Sequence, residues 1–415
     1  MPLNKWRVTR GNKREANLSQ YRGDVSNIYG FMCPGNEPLD FLISGGDEYD
    51  RYAPVTPALD LILNENLPAV ILHSGISEIE NIAAYVWNTH YNGDDSLCPL
   101  WICNTENRYF EPFYGMNENQ IYITCKNLAE KMGYNASGRL MRVVTGHLRI
   151  LKELDIPYSL TGLNYLCGFY DMGEFRDNVL ALPCGVSVAK RIWSDLGVDD
   201  DSGSDQFDLF RSIIGSLVND AEQCGWNPDN TVCECNCITA VRENALFTLK
   251  VNETNSPLML TYLTEELKAA NQNQFFLMID GVRIKDKGFF DLISSTSACR
   301  RIGLISENAV DMVGIEKDDF QKFVERIQCL VLFKHRTAST ANSLAEVIGK
   351  FDYTKLEESY GTNREYFKFL PQGSHNEIRQ STENRYRIMP EEITGLQPGQ
   401  AIIFDTRYDQ IIYYN

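Results

Sequence analysis

Asp280 closes the run Phe275-Phe-Leu-Met-Ile-Asp280, in which five apolar residues are followed by an acid. Such a run reads as a buried strand. A carboxylate at the carboxyl end of a buried strand can hold a magnesium ion through water, and it can equally well cap the next turn. A triphosphate site needs a cradle as well. The pattern G-x-x-x-x-G-K-[S/T] supplies backbone N–H groups, a lysine for the phosphates and a hydroxyl for magnesium. No such pattern occurs in the chain. The positional candidate is His73-Ser-Gly-Ile-Ser77, between an apolar run and a helical pattern. There Ser74, Gly75 and Ser77 offer hydroxyls and a glycine, but no lysine. Five residues are too few to wrap a triphosphate. Gly281 stands where a second acid would orient an attacking water, and Arg283 and Lys285 follow as the nearest cations.

A second group is Cys233-Glu-Cys-Asn-Cys237, with Cys224 nine residues earlier. Alternate residues of a strand share a face, so Cys233, Cys235 and Cys237 could offer three thiolates to one soft metal. Structural zinc sites more often pair cysteines two to four residues apart. One face of a half-buried strand is therefore the expectation, and a metal site using Cys224, Cys233, Cys235 and Cys237 the alternative. The five histidines (His73, His90, His147, His335, His375) are scattered, with no H-E-x-x-H. No G-x-S-x-G elbow occurs, and no G-x-G-x-x-G follows a strand pattern.

The chain has 415 residues, 39 basic and 56 acidic, for a formal charge of −17. That balance argues against a protein that coats nucleic acid or anionic membrane with its whole surface. At 43% hydrophobic and 23% charged residues it can bury a large core, which excludes global disorder. No apolar stretch approaches the ~20 residues of a membrane span. No secretory h-region opens the sequence, so the twelve cysteines read as reduced thiols in a cytoplasm.

The elements that would position these residues alternate between strand and helix. Leu39–Ser44 reads as a short strand ending in Gly45-Gly46, Pro68–Ser74 as a buried strand, Ile76–Trp87 as a helix and Leu97–Cys103 as another strand. From about 118 to 222 the spacing turns helical, as in Val143, Val144, Leu148 and Leu151, and again in Leu209, Ile213 and Leu217. This stretch includes a loop at 199–205, and Trp193–Glu234 holds ten acids against Arg211 alone. Strands return at Gln274–Asp280, Ile302–Ser306, Ile327–Phe333, Ala401–Phe404 and Gln410–Tyr413, with helices at Phe289–Arg301, Phe320–Arg326 and Ala338–Gly349. Residues 357–384 read as a polar stretch. The first 23 residues carry Lys5, Arg7, Arg10, Lys13, Arg14 and Arg22 against Glu15. They read as a flexible arm that could touch a partner or nucleic acid. The expected architecture is α/β: a mostly parallel sheet flanked by helices, with an all-helical insertion. The expected domains are an arm at 1–37, an α/β domain in two halves at 38–117 and 223–415, and the insertion at 118–222.

The last 140 residues resemble the conjugative coupling proteins of type IV secretion, a branch of the FtsK/HerA-like P-loop ATPases. Phe275–Asp280 through Phe289–Ser294 looks like that family's magnesium-binding strand and the helix after it. Arg300–Met312 is similar to the next strand, with Glu307 where the family usually has glutamine. Arg385-Tyr-Arg-Ile-Met-Pro-Glu-Glu-Ile-Thr-Gly-Leu-Gln-Pro-Gly-Gln-Ala-Ile-Ile-Phe404 looks like its closing segment. The resemblance implies a P-loop fold, ATP and magnesium as ligands, and hexamers that move DNA or protein. It also implies a nucleotide pocket whose remnant here is Ser74, Gly75, Ser77, Asp280 and Glu307. The departures are the missing lysine, Gly281 and Glu307. Each lost charge-assisted phosphate contact is worth about 1.5–3 kcal/mol. The reading that follows is a pseudo-ATPase scaffold or adaptor in a conjugative, secretion or mobile-element complex. It would need no cofactor, bind ATP and magnesium weakly at most, pair with proteins of that machinery, have no membrane span, and meet nucleic acid only through its arm. The alternatives are a motor with an unconventional nucleotide site and a metal-binding α/β protein.

Overall fold

The strands form where β-branched and aromatic residues cluster between turn formers. The computed structural model describes residues 24–415 except 76, 200, 228–231, 252–256, 271–273, 296–300, 314–317 and 363–373, and only the backbone at 77, 201–203, 352–362 and 374–383. Two compact units result: residues up to Phe333 together with Pro398–Asn415, and Lys334–Gln397.

The first unit is built on a nine-stranded sheet in the order β11-β10-β7-β1-β6-β5-β2-β4-β3. Its strands are β1 Phe41–Ser44, β2 Ala69–His73, β3 Leu100–Cys103, β4 Leu246–Lys250, β5 Phe276–Asp280, β6 Arg301–Ser306, β7 Cys329–Leu332, β10 Ala401–Asp405 and β11 Gln410–Tyr414. The first seven run parallel. The closing hairpin adds the antiparallel β10 and β11 at one edge. β1, β2, β5 and β7 are buried along their whole length, as strands covered on both faces must be.

Helices α1 Tyr29–Met32, α2 Glu48–Tyr52, α3 Val55–Asn64 and α4 Ser77–Tyr91 precede β3. On one sheet face, Val55, Leu59 and Ile62 of α3 and Ile79, Ala83 and Val86 of α4 pack with Phe41, Ile43, Ile71 and Met278 in one core. Residues 25–36, read from the sequence as the end of the arm, belong to that core instead: Val25, Ile28 and Met32 are fully buried. Their apolar spacing of three and four residues is a helical stripe hidden beside a basic segment. Residues 1–23 lie outside the described ones. Gly303 in β6 has no room for a side chain, because a Cβ there would stand 2.5 Å from the Phe41 ring and 3.0 Å from that of Phe276.

Between β3 and β4 the described elements are all helical: α5 Glu118–Lys131, α6 Gly138–Glu153, α7 Leu160–Cys167, α8 Met172–Leu180, α9 Val186–Leu196, α10 Asp201–Cys224 and α11 Cys237–Arg242. Helix α10 starts inside the stretch read as a loop at 199–205. Buried Glu111 anchors this region at its base, accepting from Thr161 N (3.0 Å) and Thr161 Oγ1 (2.7 Å) at the start of α7. At its centre His147 is fully buried against Phe207 and Phe210, with ring centroids at 5.6 and 4.5 Å.

Burial pushes the His147 imidazole down to about 4, from 6.5. A neutral buried histidine stabilises the fold above its unfolded pKa, and that stability is lost as pH falls from 6.5 toward 4. The interval is worth about 3 kcal/mol. His147→Phe is expected to unfold at the same denaturant concentration as the parent at pH 8 and at a higher one at pH 4.5, measured by chemical denaturation.

Beyond β4 come α12 Met259–Ala270, α13 Lys287–Ser294, α14 Ala309–Met312 and α15 Asp319–Val324. Helix α13 ends at Ser294, earlier than the helical pattern to Arg301, and residues 296–300 fall outside the described ones. The second unit holds α16 Ala338–Ile348, the hairpin β8 Lys350–Thr362 and β9 Ser374–Tyr386, and α17 Pro390–Gly395. That hairpin pairs thirteen residues on each strand, from Lys350↔Tyr386 to Thr362↔Ser374. It occupies most of the stretch read only as polar.

Candidate functional site

Neighbouring strands β1 and β6 leave the sheet in opposite directions: β1 runs on toward β2 and the β3 edge, β6 toward β7 and the β11 edge. Such a switch point opens a crevice outside the carboxyl ends of the two strands, where ligands of open α/β sheets bind. Here the ends are Ser44 and Ser306, partners in register. The crevice is laced across. Gly45 N donates to Ser306 O (3.1 Å), and Ala309 N to Ser44 Oγ (3.1 Å). Glu307 is exposed directly after β6.

Only Gly45, Gly46 and Asp47 separate β1 from α2, against the eight residues of a phosphate cradle. Asp47 caps α2, its Oδ1 accepting from Asp50 N (3.0 Å), while Asp50 Oδ2 accepts from Asp47 N (3.2 Å). The helix-start N–H that could face a phosphate therefore faces the chain's own carboxylate. Gly46 has φ +69°, and a Cβ on it would stand 2.8 Å from both Asp50 Cβ and Phe333 Cβ. Arg51, nearly buried, donates from Nη1 to Gly46 O (2.8 Å) and Gly45 O (3.4 Å). Those peptides thus turn carbonyls, rather than N–H groups, toward the cation. The chain supplies both the anion and the cation that a bound phosphate and its lysine would provide.

Two strands along, Asp280 ends β5 at 1% exposure. Tyr52, the last residue of α2, donates from Oη to Asp280 Oδ2 at 2.8 Å. Burial pushes the Asp280 carboxyl up to about 6, against the lowering effects of Tyr52, His73 and Arg51. A magnesium-holding carboxylate needs at least one oxygen open to water, and this one is sealed and hydrogen-bonded to a phenol.

The sequence-derived cradle lies on the other side of β5. Ser74 and Gly75 follow β2, and Ser74 N donates to Asp280 O (3.1 Å). Ser77 is the first residue of α4, and its side chain is outside the described ones. Gly75 N donates to His73 Nδ1 (3.2 Å), and the Lys250 stem crosses Gly75, its Cε 2.7 Å from where a Cβ would stand. His73 Nε2 is 3.1 Å from Glu80 Oε1, off the line of a good hydrogen bond. Asn104 Nδ2 donates to both Glu80 oxygens at 3.1 Å. Burial would raise the Glu80 carboxyl, but His73 and Asn104 overcome it and hold the group below its ordinary range. This turn too is occupied by side chains.

The structure thus divides the expected remnant. Ser74, Gly75 and Asp280 meet on the β2–β5 side, while Glu307 stands at the β1–β6 switch point. Sequence reasoning missed the residues that fill the switch point, Asp47, Asp50, Arg51 and Tyr52. The signal was present: the Leu39–Ser44 run ends in two glycines, the same strand-glycine grammar as His73–Gly75. The short α2 carries too few apolar positions to announce a helix.

The cysteine segment is not a strand. Residues 232–235 are irregular, and Asn236 caps α11, which begins at Cys237. The alternation that suggested one face is broken because the thiols turn to different neighbours. Cys233 donates to Tyr109 O, Cys235 faces Cys103 at 3.5 Å, and Cys237 lies against the buried Glu266, whose Oε1 accepts from Cys237 N at 2.5 Å. Cys224 ends α10. Among the described residues, no three His, Cys, Asp or Glu side chains are grouped to hold a metal. Among them, too, no helix is long and apolar enough to cross a membrane.

No protein-family model matches the chain, and no curated protein matches its sequence. Solved structures do match. The bacterial conjugative coupling protein TrwB, in an unbound form lacking its first 70 residues, superposes with a TM-score of 0.53 at 12% identity, over 91% of this chain and 86% of that one. TrwB bound to a non-hydrolysable ATP analogue gives 0.52 at 10% identity, over 90% and 84%. TrwB with a GTP analogue gives 0.51 at 11%, over 91% and 87%. The sheet order, the helical region between β3 and β4 and these superpositions together give this chain the fold seen in the conjugative coupling protein TrwB.

Proposed function

We propose that the chain is a coupling-protein-like scaffold that does not turn over nucleotide. The observation that carries this reading is the three-residue β1–α2 loop, filled by Asp47, Asp50 and Arg51 where a P-loop would cradle phosphate. Tyr52 on Asp280 supports it from the magnesium side. TrwB is a conjugative coupling protein and has been seen with ATP and GTP analogues. By that likeness the chain's partners are proteins of a conjugation or secretion apparatus, and its fold serves there as a docking frame. Any contact with nucleic acid belongs to the basic arm, since the whole chain carries −17.

A turnover assay tests this reading. With ATP and magnesium at about 1 mM, where most ATPases approach saturation, phosphate release should equal that of the Asp280→Ala variant. Added to an active coupling ATPase, the chain should co-elute with it. Phosphate release above that of Asp280→Ala would instead favour the motor reading.

A further inference from the structure

We infer that Cys103 and Cys235 are a peroxide-responsive thiol pair that closes to a disulfide at the base of the helical region. Their sulfurs stand 3.5 Å apart. Cys103 is the last residue of β3, from which the chain leaves the sheet toward α5. Cys235 sits on the returning chain, just ahead of α11, with its carbonyl accepting from Glu111 N (2.8 Å). The two positions, 132 residues apart, therefore bracket the whole run of helices from α5 to α10.

A disulfide needs its sulfurs at about 2.05 Å, a closure of roughly 1.5 Å from the 3.5 Å seen here. Both residues are free thiols, Cys103 fully buried and Cys235 at 6% exposure. Burial and the neighbouring thiols keep Cys103 protonated at neutral pH, so it is not the group that meets an oxidant first. Of the pair, Cys235 lies nearer the surface, two residues from half-buried Cys233.

In the first step a hydroperoxide transfers its terminal oxygen to the Cys235 sulfur, giving a sulfenic acid and an alcohol or, from hydrogen peroxide, water. In the second the Cys103 sulfur attacks the sulfenic sulfur; the S–O bond breaks, the S–S bond forms and water leaves with the Cys103 proton. Two thiols lose two electrons, and the O–O bond gains them. A small dithiol reverses the step. The bond would staple the exit and return of the helical region. This inference does not depend on the scaffold reading.

The test uses the full chain. Native protein is treated with excess hydrogen peroxide, blocked with N-ethylmaleimide in denaturant and mapped by peptide mass spectrometry. The expected product is a cross-link between the peptides of Cys103 and Cys235, two hydrogens lighter, removed by dithiothreitol and absent from Cys235→Ser. Recovery of both cysteines as maleimide adducts, or of either one joined to a different cysteine such as Cys233, would overturn the inference. Mapping of the unsubstituted chain decides this even where Cys235→Ser folds poorly.

Discussion

At pH 8, Asp280→Asn is expected to resist chemical denaturation better than the parent chain, and at pH 4 the two should unfold together. The reason is the carboxyl pushed from 3.8 to about 6 by burial. A group whose folded pKa is raised stabilises the fold below its unfolded value, and that contribution is lost as pH rises through the folded one. From 3.8 to about 6 this amounts to about 3 kcal/mol. Asparagine keeps an oxygen to accept from Tyr52 Oη and removes the desolvated charge. The added N–H₂ lacks an obvious acceptor, so the net gain should be about 1–3 kcal/mol. A magnesium site behaves otherwise: there the charge is retained because the metal needs it, and the substitution lowers stability in the presence of magnesium and nucleotide. A lower denaturation midpoint for Asp280→Asn at pH 8 would contradict the account.

The second large effect is at the opposite end of the sheet. Asp40, just before β1, accepts from Ile302 N at 2.7 Å through Oδ1 and lies 3.4 Å from Arg326 Nε through Oδ2. Arg326 also donates to Ile293 O and Ser295 O, both at 2.6 Å. Both side chains are almost fully buried. This ion pair ties β1, the start of β6, the end of α13 and the approach to β7 into one corner. Removing one member of a buried pair costs about 3–5 kcal/mol, because the charge left behind has lost its counter-ion. Asp40→Ala should lose that much in denaturant titration. Replacing both residues, Asp40→Leu with Arg326→Met, should recover most of it. A loss below about 1 kcal/mol for Asp40→Ala would show the pair to be unimportant.

The parallel sheet could be read because its strands are unbroken apolar runs ending in glycine or an acid, as Phe275–Asp280 and Pro68–Gly75 are. Strand β4 escaped notice since Leu246–Lys250 is short and carries Thr248 and Lys250 among its apolar residues. Yet it lies between β2 and β3 and brings Lys250 over Gly75. The β8–β9 hairpin was hidden for the opposite reason: its strands are long but mostly polar in sequence, so only backbone pairing reveals them. At the site, Asp280 could be found from its place at a strand end. Which glycine turn faces the switch point could not, because that depends on strand order, and the β1–β6 neighbourhood joins residues more than 250 positions apart. Cysteine alternation misled for a related reason: a period of two speaks for a shared face only where the backbone is extended, and Asn236 turns it into a helix.

The switch-point crevice is occupied by the chain's own Asp47, Asp50 and Arg51, and Tyr52 closes Asp280. Calorimetric titration of the full chain with ATP, with and without magnesium, tests it most directly. No saturable heat is expected up to about 1 mM nucleotide, with the magnesium and magnesium-free traces superimposable. Saturable micromolar binding that requires magnesium and is lost in Asp280→Ala would contradict it.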